Sequence, residues 1–136
     1  HFFSVEEFKA KIATDDFVEW EEVYKDNFYG TLKAEVEKAW ANGKTVVFDV
    51  DAIGGINLKS IFGANALSIF IKPPSLFVLE QRLKNRKTEN AEQIKMRLDK
   101  ANEELSHADV FDYVLLNDNL EKACADVKSE IEKFIK

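Results

Sequence analysis

The sequence predicts an α/β fold built on a parallel sheet, and three observations carry that reading. Short runs of consecutive apolar residues, the mark of strands buried on both faces, alternate along the chain with stretches of helical period. Prolines and glycines number only two and five, too few for a loop-rich architecture. At 136 residues, 46% of them apolar, the chain fits one domain and can bury a substantial core.

Ser4-Val5-Glu6-Glu7 is a capping box, and the helix it opens should run to about Ala13 and bury Phe8 and Ile12. Phe17 to Thr31 has no helical period but is rich in aromatic and β-branched residues, which reads as short antiparallel strands turning at Lys25-Asp26-Asn27. Leu32, Val36 and Trp40 then recur at i, i+4, i+8, with Gly43 as the stop of a second helix. Thr45 to Asp51 reads as a buried parallel strand that delivers carboxylates to its C-terminal edge. Ala66 to Ile71 is a second such strand, ended by Pro73-Pro74, after which Ser75 can cap a helix with Leu76, Leu79 and Leu83 on one face. A polar stretch, Asn85 to Glu92, leads to a long helix striped by Ile94, Leu98, Ala101 and Leu105. Tyr113 to Leu116 is a third buried strand, and the final helix uses Leu120, Ala123, Val127, Ile131 and Phe134. Strands alternating with helices imply right-handed crossovers in one sheet.

Composition narrows the partners. No segment approaches the ~20 apolar residues of a membrane span. The formal charge of −6 argues against binding a nucleic acid polymer through bulk electrostatics. Basic residues nevertheless gather between Lys72 and Arg97, enough to hold a phosphate locally. The single Cys124 cannot form an intramolecular disulfide, which fits a reducing, cytoplasmic setting, and its neighbours Ala123 and Val127 suggest an inert place on a packed helix face.

Four constellations can carry chemistry. Glu19 and Thr31 on adjacent short strands offer a carboxylate beside a hydroxyl, the groups that guanine's N1 and N2 donors and O6 acceptor require; a solvated acidic hairpin is the alternative. Asp49 and Asp51 point to the same side of their strand at the carboxyl edge, where ligands of open α/β sheets bind, though acids there also cap the following turn. Arg82 and Arg86 share a helix face, and Arg97 returns from the next helix; guanidinium groups on a mobile segment suit phosphoryl transfer, while each alone is equally a surface ion-pair residue. Asn117 follows a strand directly and is otherwise a turn residue, with Asn119 as the helix N-cap. His1, His107 and Cys124 have no partner spacing that would make a metal or nucleophile site.

In order along the chain, these pieces resemble guanylate kinase of the P-loop nucleoside monophosphate kinase class. The resemblance rests on Phe3-Ser4-Val5-Glu6-Glu7-Phe8, Phe17-Val18-Glu19-Trp20, Tyr29-Gly30-Thr31, Asp49-Val50-Asp51-Ala52-Ile53-Gly54, Ile71-Lys72-Pro73-Pro74-Ser75, Arg82-Leu83-Lys84-Asn85-Arg86-Lys87-Thr88 and Asn117-Asp118-Asn119-Leu120. It implies a P-loop NTPase-type three-layer parallel sheet with helices on both faces. Residues 1–42 would be part of a GMP-binding region, and residues 43–136 a core α/β region with a mobile lid at about 82–97. It implies transfer of a phosphoryl group from ATP, with Mg²⁺, to GMP. Glu19 and Thr31 would read guanine with Asp51 assisting, and Tyr29 would help hold the GMP phosphate. Asp49 and Asp51 would border the nucleotide and metal. Arg82, Arg86 and Arg97 would clamp phosphates, and Asn117 would border the adenine.

The chain departs from the family pattern in two places. Lys87 stands where the lid normally reads Arg-Gly-Thr, and no Gly-x-x-x-x-Gly-Lys-Ser/Thr occurs anywhere. The resemblance places that motif, with its strand and helix, ahead of His1. It follows as an expectation that these residues alone are inactive, leave neighbouring strands unpaired and tend to self-associate. A non-enzymatic guanylate kinase-like interaction module and a kinase for another nucleotide are the rival readings, and the retained Glu19, Thr31, Asp49, Asp51 and arginines weigh against both.

Overall fold

The computed structural model describes residues 1–136, apart from the side chains of Val23 and Tyr24. The chain folds as two compact units, His1–Ile61 and Phe62–Lys136.

The first unit opens with α1 (Val5–Ala13), whose capping box forms as the sequence implies: the Glu7 amide donates to Ser4 Oγ at 3.1 Å and the Ser4 amide to the Glu7 carboxylate at 2.7 Å. β1 (Phe17–Tyr24) and β2 (Asn27–Leu32) make an antiparallel hairpin in which Glu19 pairs with Thr31, Trp20 with Gly30 and Glu21 with Tyr29. The alternation of side chains along strands then puts Glu19, Glu21, Tyr29 and Thr31 on one face, and Trp20, Phe28 and Gly30 on the other. The second face meets α1. Phe8, buried, stacks on Phe17 at 4.3 Å and on Phe28 at 5.2 Å between ring centroids, contacts of a kind that each add about 0.5–1.5 kcal/mol beyond their area. α2 (Lys33–Ala41) buries Val36 and ends where Gly43, at φ 66°, returns its amide to the Trp40 carbonyl at 2.8 Å.

Two features of this unit depart from the sequence expectation. Thr45–Asp51 forms no ladder, and Val47 is 86% exposed. A strand exists only through hydrogen bonds to a neighbour, and among the described residues none lies beside this segment. Then comes α3 (Ala52–Phe62), a helix hidden in the sequence by the helix-disfavouring Gly54-Gly55 pair. Asp51 starts it: its Oδ1 accepts the Gly54 amide at 2.7 Å and its carbonyl accepts the Gly55 amide at 2.9 Å. Ala52 and Leu58 are its buried residues.

The second unit is centred on the parallel pair β3 (Ile69–Lys72) and β4 (Tyr113–Leu116), in register from Ile69–Tyr113 to Lys72–Leu116. β3 is shorter than the expected Ala66–Ile71 run, because its ladder with β4 begins only at Ile69–Tyr113, although it runs one residue further, to Lys72. Both strands are also less buried than expected: Phe70 and Leu115 are covered, whereas Ile71 and Leu116 are exposed. The entry to the ladder is clasped by Ser68 and Asp112, with the Asp112 carboxylate accepting from both the amide and the hydroxyl of Ser68, at 2.8 and 2.9 Å.

Between the strands run α4 (Leu76–Arg86), capped by Ser75, and α5 (Ala91–Leu105), capped by an Asn90–Gln93 box. The two helices lie against each other, burying Leu83 and Ile94. Lys87 ends α4 at φ 54°, ψ 22°, in the left-handed region that favours glycine. α6 (Leu120–Ile135) is capped by Asn119 and lies against β4 with Ala123 buried. Cys124 is exposed rather than packed, since one residue along a helix turns about 100° away from its predecessor.

Two stability outcomes follow. A Cβ at Gly30 would sit 2.9 Å from the Glu19 carbonyl oxygen and 2.9 Å from Trp20 Cβ. Gly30→Ala should therefore cost about 1–3 kcal/mol in urea unfolding, because the backbone atom it meets cannot step aside. Lys87→Gly should instead raise stability by about 0.5–1 kcal/mol in the same assay, since relief of the left-handed strain exceeds the added freedom of the unfolded chain.

Candidate functional site

The hairpin and the helical pair carry most of the candidate residues, one in each unit. On the hairpin, the register that pairs Glu19 with Thr31 brings the Thr31 hydroxyl to 2.7 Å from Glu19 Oε1, to which it donates. The bond orients a half-buried carboxylate and leaves its second oxygen as an acceptor. A hydroxyl proton rotates freely, so Thr31 can turn to donate elsewhere when a ligand supplies the carboxylate with its own N–H groups. Tyr29 lies on the same face, exposed, and its phenol has no protein hydrogen bond among the described residues. Gly30 lets Trp20 and Phe17 close in beneath this face; the Tyr-Gly-Thr motif thus combines two hydroxyl groups on one face with the one residue small enough to sit between them.

Of the two aspartates, Asp51 is the N-cap of α3, so the capping alternative applies to it at least in part, and it has further interactions besides. Asp49 is exposed and takes part in no ion pair among the described residues. The described residues contain no group of three or more His, Cys, Asp or Glu side chains gathered around one point. A cation held mainly by phosphates and water would need no such group.

All three arginines of the chain lie between positions 82 and 97. Arg82 is brought to Asn117, but through its backbone: Nη1 donates to the Asn117 carbonyl at 2.7 Å and Nη2 to the Asp118 carbonyl at 3.0 Å. The planar fork thus ties α4 to the exit of β4, and the Asn117 side-chain amide keeps no protein partner. Arg86 stands exposed on the last turn of α4, without an ion pair. Arg97 is paired through Nε with Glu89 Oε1 at 2.5 Å. Glu89 is a residue the sequence marks only as one of a polar stretch. Eight positions separate the two, outside the i, i+3 and i, i+4 spacings by which helical ion pairs are read from a sequence.

Parallel strands with helical connections, a hairpin carrying a Glu–Thr pair and an arginine-bearing helical pair are the features of an α/β protein of the P-loop mononucleotide kinase type. The guanylate kinase family model matches residues 1–134. A guanylate kinase of Bacteroides fragilis is 51% identical over 134 residues, covering 98% of this chain and 66% of its own length. One of Porphyromonas gingivalis is 45% identical, covering 99% of this chain and 72% of the relative. The crystal structure of guanylate kinase from Anaplasma phagocytophilum superposes with a TM-score of 0.77 at 26% identity, covering 98% of this chain and 63% of that one. The chain belongs to the guanylate kinase family. It spans 66% of the length of the Bacteroides relative. No helix among the described residues is long and apolar enough to cross a membrane.

The Arg82 clasp can be tested directly. Arg82→Lys keeps the charge but replaces a fork with a point donor, and should cost about 1–2 kcal/mol in chemical denaturation by losing one of two charge-assisted bonds to carbonyls.

Proposed function

We propose that the protein transfers the γ-phosphoryl group of ATP to GMP. The observation that carries this reading is the Glu19–Thr31 pair, a carboxylate and a hydroxyl locked together on the free face of a hairpin, in a chain of the guanylate kinase family. Guanine donates from N1 and N2 and accepts at O6. Glu19 takes the donors, and Thr31, its proton released from Glu19, serves O6, with Asp51 assisting. Adenine offers the reverse pattern at the corresponding positions and would leave both protein groups mispaired.

Tyr29, on the same face, is assigned to the GMP phosphate. Arg86 and Arg97 are assigned to the transferring phosphates, where guanidinium forks neutralise charge as it spreads over the phosphoryl oxygens. Arg82 is assigned to the same task from its place on the Asn117–Asp118 carbonyls, with Asn117 bordering the adenine. An oxygen of the GMP phosphate attacks the γ-phosphorus of ATP in line; the bond from that phosphorus to the β-bridging oxygen breaks, ADP leaves, and no covalent enzyme intermediate forms. Mg²⁺ bound to ATP would supply charge neutralisation, and Asp49 and Asp51 are assigned to border it. Both substrates are abundant in the cytoplasm, which is the proposed setting.

The test is a coupled assay of GMP phosphorylation on the protein expressed from its complete reading frame, with AMP as competitor and thermal shift in parallel. GMP should raise Tm selectively and be the accepted substrate. Glu19→Gln and Thr31→Val should each lower kcat/KM for GMP by about 100-fold, as sites built to pair with polar substrate groups do when one group is lost. Equal shifts with AMP would overturn the guanine assignment.

A further inference from the structure

Glu89, in the connection between α4 and α5, has an environment that stability does not explain. Its Oε1 meets Arg97 Nε at 2.5 Å, while its Oε2 is buried without a hydrogen-bond partner among the described residues. A carboxylate oxygen removed from water and left unmatched weakens a fold, so a side chain kept in that condition calls for another reason. Burial is also unequal across the pair: the Glu89 side chain is 15% exposed and that of Arg97 58%. The acid is the anchor, and the base is the group being held.

Glu89 makes a good anchor because its own backbone is tied on both sides. The left-handed Lys87 ends α4 just before it, and the Asn90–Gln93 capping box starts α5 just after it. From there its carboxylate grips Arg97 at the inner nitrogen. The two terminal nitrogens of that guanidinium have no protein hydrogen bond among the described residues, and they form the edge that can donate to a pair of phosphate oxygens. An arginine this exposed would otherwise sample many rotamers and lose that freedom on meeting substrate.

We propose that Glu89 is a positioning residue, which holds Arg97 by Nε so that its terminal fork is set in advance for a phosphate. The phosphate in question rests on the reading above; the positioning of Arg97 does not. Two measurements on the protein expressed from its complete reading frame separate them. In the first, the Nε–Hε cross-peaks of the three arginines are followed by ¹⁵N NMR, with Arg97 assigned by its loss in Arg97→Lys. The wild-type Arg97 signal should be ordered and slow to exchange, and Glu89→Gln should move it to the averaged position of a free guanidinium and speed its exchange.

In the second, GMP phosphorylation is assayed at saturating ATP. Glu89→Gln should lower kcat about tenfold with KM for GMP within about twofold, the expected result of a misaimed group that binds late. Its Tm, and that of Glu89→Met, should stay level or rise. In the Arg97→Lys background Glu89→Gln should have no further effect on kcat. An Arg97 signal unchanged by Glu89→Gln would overturn the inference, as would additive losses in the double variant or a faster Glu89→Gln enzyme, which would make the acid a competitor of the phosphate. A wild-type protein that does not phosphorylate GMP would remove the functional reading and leave the NMR result to decide the pairing.

Discussion

Short elements leave many backbone groups unpaired, and this molecule depends on side chains to satisfy them. Every helix has four orphan amides at its start and four orphan carbonyls at its end. Here Ser4, Asp51, Ser75, Asn90 and Asn119 each accept an amide in the first turn of the helix they precede. Ser68 and Asp112 do the same service where the parallel ladder begins. Arg82 does it where the ladder ends, on two successive carbonyls. A two-stranded parallel sheet has little ladder of its own to hold it, so closing both its ends with charged or hydroxyl groups matters more here than in a wide sheet.

That constraint also explains which parts of the fold are legible in the sequence. A cap is a local pattern: Ser4 with Glu7, or Asn90 with Gln93, can be read from four residues, and the helices they open lie where the pattern puts them. The hairpin is legible because its aromatic and β-branched content and its turn lie within a single stretch. Segments whose state is set by something distant are not. Val46-Val47-Phe48 has the composition of a buried strand, but composition cannot supply the neighbouring strand, and none stands beside it among the described residues. α3 is missed for the opposite reason, since the Gly54-Gly55 pair counts against a helix locally while the Asp51 cap and the burial of Ala52 and Leu58 outweigh it.

The candidate site divides along the same line. Glu19 and Thr31 are twelve positions apart, yet a two-strand hairpin allows few registers, and the pairing can be anticipated once the turn is placed. The aspartates and arginines are legible as types at the right ends of elements but not in their partners. The capping role of Asp51 is open from the sequence, but nothing in the spacing says that Arg82 lies on the carbonyls of Asn117 and Asp118, or that Glu89 reaches Arg97. Those pairings are set by how helices lie on one another, which depends on packing at Leu83 and Ile94 rather than on charge pattern.

Groups with protein partners and groups without them sort into two jobs. Among the proposed ligand contacts, Tyr29's phenol, Asp49, Arg86, the Asn117 side chain and the terminal nitrogens of Arg97 have no protein hydrogen bond or ion pair among the described residues. Four of them sit next to an engaged group: Tyr29 beside Gly30 and its close cross-strand contacts, Asp49 two residues before the α3 cap, Asn117 on carbonyls held by Arg82, Arg97 on Oε1 of Glu89. A polar group with nothing to bind costs little when it is exposed, and it can be aimed only by the backbone or neighbour that carries it. The engaged residues therefore do the aiming, in addition to what they contribute to the fold.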